Sequence, residues 1–196
     1  LKRLLKKQLV IGLKVSIKQD LISWSEQVLE VPNKYLKGLP ACPYAKEAWA
    51  KNKVEVIETD DVFEDTLSWS TLFENSEKDV VIIASYYIPN IEVFESFIEE
   101  INENMGEMSD LYFMGFHPEF GAEDKELEFL LDNSWESKLE YEYCLVFIQS
   151  LTKVVKASDQ LEKLGYYEAY PDDEYQALVT DRKRKLKNGD EEKSDD

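Results

Sequence analysis

The chain has 196 residues, 43% of them hydrophobic, enough for one buried core, so a single domain is the expectation. Its formal net charge of −18 argues against general affinity for DNA, RNA or anionic lipid, each of which requires a basic surface. No run approaches the ~20 apolar residues of a membrane span. The longest, Val80 to Ala84 and Leu145 to Ile148, are strand-sized. The only cysteines, Cys42 and Cys144, are too few for a disulfide framework and point to a reducing, cytoplasmic setting.

Residues 1–15 carry Lys2, Arg3, Lys6, Lys7 and Lys14 among leucines, with no acid. This matches a basic amphipathic membrane-surface or targeting segment, or a frayed extension outside the core. The extension is the reading adopted, with the globular domain spanning residues 16–175.

From Ser16, the spacing of Leu21, Ile22, Trp24, Val28 and Leu29 predicts a helix closed by Pro32 and Asn33. A loop through Gly38 and Pro40 leads to Cys42. Because proline suits the first helical position, Cys42 is expected to cap a short helix that runs to about Lys51. Trp49 would pack that helix on the sheet. Val54 to Glu58 reads as a strand. Asp60 or Asp61 then caps a helix bearing Phe63, Leu67, Trp69, Leu72 and Phe73, with Glu64 placed for a capping box.

The apolar run Val80 to Ser85 predicts a central strand covered on both faces. Pro89 and Asn90 start a helix whose Phe94, Phe97, Ile98, Ile101 and Met105 share one face, and Gly106 ends it. Leu111 to Phe116 is the next strand and carries His117 at its C-terminal end. An acidic stretch follows to about Lys138, with a short helix expected around Leu127 to Leu131. Tyr141 to Gln149 reads as a strand with Cys144 in the core. Leu151, Val154, Val155, Leu161 and Leu164 make a last helix, stopped by Gly165. Residues 176–196, with the basic cluster Arg182 to Lys187 before an acidic end, read as a charged, disordered tail. The expected fold is therefore α/β: about four strands in one sheet with helices packed on it, as a thioredoxin-like or a ferredoxin-like sandwich.

Two motifs draw attention. Cys42-Pro43-Tyr44 at a helix start resembles the glutaredoxin motif Cys-Pro-Tyr-Cys, where the helix end stabilises a thiolate. Ala45 replaces the second cysteine, and Pro89 follows its strand where a thioredoxin-type chain has Val-Pro before one, so that kinship is set aside. A broader set of features is similar to a bacterial family catalogued as domain of unknown function 1415. It comprises a Trp-bearing helix (Trp24), Cys-Pro-aromatic-Ala (Cys42 to Ala45), a Phe-rich helix (Phe94, Phe97) and Phe-His-Pro-acid-aromatic (Phe116 to Phe120). The resemblance covers about residues 21–120 and carries no established activity with it.

If the fold joins the motifs, His117 would hold Cys42 as a nucleophilic or peroxidatic thiolate and Glu119 would orient the imidazole. The same three side chains are alternatively a weak zinc or iron site. Against both stands a non-enzymatic binding or accessory protein, with Cys42 a small buried hydrophobe and His117 a strand-end residue bonded to backbone. No cofactor is assigned. A small-molecule ligand is the partner class left open, with Tyr86, Tyr87, Tyr166, Tyr167 and Tyr170 either lining a pocket or simply packing. The carboxylates Glu123, Asp124, Asp172, Asp173 and Glu174 lack the ligand spacing of a calcium loop.

Overall fold

The computed structural model describes residues 16–105, 109–119 and 142–192. The basic N-terminal segment, most of the acidic stretch and its expected short helix lie outside the described residues.

The chain is an α/β fold built on one four-stranded mixed sheet. In order it runs α1 (Ile17–Trp24), α2 (Ala45–Ala50), β1 (Val54–Thr59), α3 (Val62–Leu72), β2 (Val80–Ser85) and α4 (Ile91–Asn104). It continues with β3 (Leu111–Phe116), β4 (Cys144–Ser150), α5 (Leu151–Lys163), α6 (Asp172–Tyr175) and α7 (Asp181–Glu192). The strand order is β1-β2-β4-β3, with β1 parallel to β2 and both pairings of β4 antiparallel.

The apolar strands take the middle. Residues 81–85 of β2 and most of β4 are buried, because helices cover both faces there. β1 alternates valines with Glu55 and Glu58 and sits on an edge. The parallel β1/β2 pair separates the sheet from the all-antiparallel ferredoxin-like arrangement. One parallel and two antiparallel pairings across four strands are what a thioredoxin-like core has. Here, however, β1 and β3 are the edges, and it is burial of the β2 and β4 runs that decides which strands are central.

Strand alternation splits the core into two layers. On one face Val81, Ile83, Phe113, Val146, Ile148 and Cys144 pack with Val62 and Phe73 of the α3 region and Phe94 and Ile101 of α4. On the other, Ile82, Ala84, Leu145 and Val54 meet Ile17, Leu21 and Trp24 of α1. Local signals set the helix starts. Ser16, Asp61, Asn90 and Ser150 each accept a backbone N–H of the first turn of α1, α3, α4 and α5. The first helix continues past Trp24 as a π-helical turn, Ser25–Leu29, reaching the expected end.

The C-terminal region departs from expectation. In place of a disordered tail from residue 176, α6 runs through a π-helical turn, Gln176–Thr180, into α7. Val179 is 1% exposed, and Lys183 of α7 bonds Asp159 and Glu162 of α5 at 2.8 and 2.9 Å. A composition rich in charge conceals a helix that docks on α5 through Lys183 and buries Arg182.

Asn102 of α4 closes one sheet edge. Its side-chain N–H donates to the Phe113 carbonyl at 2.8 Å, and its Oδ1 accepts the Phe113 N–H at 3.0 Å. Just beyond, Gly115 lies so close to α4 that an added Cβ would stand 2.7 Å from Phe94 Cε1 and 2.8 Å from Ile98 Cγ1.

Candidate functional site

Cys42 follows a short bridge between Pro32 and Pro40, and its N–H donates to Leu29 O at 2.9 Å. Residues 42–44 form a turn closed by Ala45 N–H on Cys42 C=O at 3.2 Å, and α2 begins only at Ala45 with Tyr44 at its cap. Cys42 is therefore not the helix cap expected from Pro43: the proline lies in the turn that precedes the first helical residue. Burial pushes the thiol above its ordinary value and the Glu30 carboxylate adds to this. The backbone N–H groups of Tyr44 and Ala45 oppose the shift without reversing it. The site favours a thiol over a thiolate.

His117 is 5% exposed at the end of β3. Its Nδ1 accepts the Glu119 backbone N–H at 3.2 Å, so the proton sits on Nε2, which donates to Pro89 C=O at 3.0 Å. The ring centroid is 5.6 Å from that of Phe94. The histidine thus ties the end of β3 to the start of α4. Glu119 does orient the imidazole, but through its main-chain amide, and its side chain is exposed.

Each motif has its own neighbours. His117 packs with Phe94 on the α4 side of the sheet. Cys42 hangs from the end of the α1 segment, where its electrostatic neighbours are Glu30, Tyr44 and Tyr166. No hydrogen bond links Cys42 to His117 among the described residues. Nor do three His, Cys, Asp or Glu side chains among them converge in a way that would hold a metal. Cys144 is core, as expected: burial pushes its thiol up to about 12.

The tyrosines divide into two groups. Tyr86 packs edge-on against Tyr143 at 5.2 Å, and Tyr87 is 66% exposed beside it. Tyr143 is buried and its hydroxyl donates to Asp20 Oδ2 at 2.8 Å, a contact between the α1 N-terminal turn and the start of β4. Burial, then the Asp20 carboxylate, pushes the Tyr143 hydroxyl far above its usual value.

Tyr166, Tyr167 and Tyr170 form a mutual cluster with centroids 5.0 to 5.9 Å apart. The Tyr166 hydroxyl donates to Ala41 C=O at 2.7 Å, beside Cys42, and that of Tyr170 reaches Tyr166 at 3.5 Å. The cluster packs with Leu36 and Leu161. These rings support the loop that carries Cys42. Asp172, Asp173 and Glu174 occupy the first turn of α6, where carboxylates suit a helix N-terminus. Glu123 and Asp124 lie outside the described residues.

Sequence reasoning missed Arg182 and the Asp20–Tyr143 pair. Arg182, assigned to the tail, is 7% exposed with its guanidinium carbon 4.4 Å from the Tyr112 ring centroid. Helical spacing was the available signal: Val179, Arg182 and Leu186 recur along one face of the π-helical turn and α7.

Comparison with protein-family models, with curated proteins and with solved structures yields no match.

Proposed function

We propose that the protein is a non-enzymatic binding or accessory protein in which the Cys-Pro-Tyr-Ala and Phe-His-Pro-Glu segments are structural. The observation that carries this reading is the commitment of both His117 ring nitrogens to Pro89 and Glu119, which takes from Cys42 the base a thiol enzyme needs. The raised thiol of Cys42 supports the same conclusion.

On this reading the resemblance to the domain of unknown function 1415 family reflects two folding devices, a turn into α2 and a strap from β3 to α4. Two free thiols suit a reducing, cytoplasmic setting. The charge of −18 makes nucleic acid an unfavourable partner, and no helix among the described residues is long and apolar enough to cross a membrane.

The test is the pH dependence of Cys42 alkylation in a Cys144→Ser background, with and without His117→Ala. Native Cys42 should react slowly, with no thiolate step below the free-thiol value of about 8.5, and His117→Ala should leave that value unmoved. A thiolate step well below that value, shifted upward by His117→Ala, would restore the thiol-enzyme reading.

A further inference from the structure

Three consecutive cations of the last helix have different surroundings. Lys183 pairs with Asp159 and Glu162, and Arg184 with Asp181 at 3.3 Å, although Arg184 is largely exposed. Arg182 is the most buried of the three, yet its Nε is buried with no hydrogen-bond partner. No carboxylate among the described residues lies within ion-pair reach of it. In a chain with 41 acidic residues against 23 lysines and arginines, this is the reverse of what charge composition favours.

The Tyr112 ring faces the guanidinium at 4.4 Å and meets part of the charge through its π face. Guanidinium N–H groups, however, lie in the plane of the group, so the ring beneath it does not serve the edge donor Nε, which is buried without a partner. Burying such a donor without an acceptor is costly, and an acceptor from outside the chain removes that cost.

We propose that Arg182, backed by the Tyr112 ring, binds an oxyanion group of a small molecule, a carboxylate or a phosphate. The planar fork of donors fits both groups bidentately. The net charge of −18 disfavours polyanions and anionic membranes as the source of that group. The inference goes beyond the binding-protein reading and does not depend on the reactivity of Cys42.

The experiment is thermal unfolding of the full chain titrated with inorganic phosphate and, separately, with acetate, at ionic strength held constant with chloride. A ligand that binds only the folded state raises Tm saturably. A saturable rise with phosphate alone assigns a phosphate site, and a rise with acetate a carboxylate site. In Arg182→Lys, which keeps the charge and loses the fork, the apparent affinity should fall at least tenfold. In Arg182→Met the rise should vanish. The Arg182 Nε–H resonance of the wild type should shift along the same titration, which locates the effect even where Arg182→Met fails to fold. No saturable rise with either anion, or a rise unchanged in Arg182→Lys, overturns the proposal.

Discussion

Asn102 and Phe113 are paired as two strand residues would be: the side-chain amide of the first meets both main-chain groups of the second, at 2.8 and 3.0 Å. β3 is an edge strand, and this contact covers the middle of an open row of backbone donors and acceptors. Asn102 also donates to Ile98 C=O at 2.9 Å, which fixes the amide on its own helix. Asn102→Ala leaves a buried N–H and C=O unsatisfied and should lower stability by about 2–4 kcal/mol in urea titrations. The variant should also self-associate more readily on light scattering.

Gly115 is required by proximity, not by backbone conformation. A Cβ there meets the Phe94 ring and Ile98 inside ordinary contact distance. Gly115→Ala should cost about 1–3 kcal/mol through overpacking. Combining it with Phe94→Leu, which removes the obstructing ring atoms, should cost less than the sum of the single changes. Four-way denaturation measurements check that sign.

The Asp20–Tyr143 pair fixes a pH dependence. The folded-state value of Tyr143 lies above its unfolded value of about 10, so its contribution is complete below pH 10. Above that the unfolded chain loses the proton first, and stability falls as pH rises. Tyr166 acts in the same direction. Unfolding free energies should therefore decline above about pH 10, and less steeply in Tyr143→Phe. At neutral pH the same substitution removes a donor from buried Asp20 and should cost about 1–3 kcal/mol.

The C-terminal helix is part of the fold, so its removal should show. Val179 is fully buried, and Val179→Ala should cost about 1.5–3 kcal/mol. Lys183→Ala, whose ion pairs with Asp159 and Glu162 are partly exposed, should cost less than 1 kcal/mol. The reverse ranking in chemical denaturation would return this segment to the status of a tail.

The apolar periodicities of α1, α3, α4 and α5 and the runs of β2 and β4 made the class of fold and its elements legible in the sequence. So were the helix start at Asp60 or Asp61, where Asp61 is the cap, and the restart at Pro89 and Asn90. Strand order was not, because an element list does not say which strands occupy the centre. The surroundings of Cys42 and His117 were hidden for a related reason. Both residues lie in motif-like contexts, but what each side chain meets is decided by strand parity and loop path. Arg182 was hidden by composition: a cluster of lysines, arginines and acids reads as solvated until one side chain is seen turned inward on Tyr112.

The sheet order has a consequence for synthesis on the ribosome. β2 and β3 never touch, and each needs β4 as its neighbour. When β2 emerges it can pair only with β1, so its other side, with the apolar residues of 80–84, stays unzipped while α4, β3 and the acidic stretch are translated. Emergence of residues 144–150 then joins the two halves in one step. Until then the nascent chain presents a bare apolar strand edge, the kind of surface on which partly made chains aggregate or recruit chaperones. The long acidic stretch translated just before β4 supplies charge repulsion between neighbouring chains during that interval.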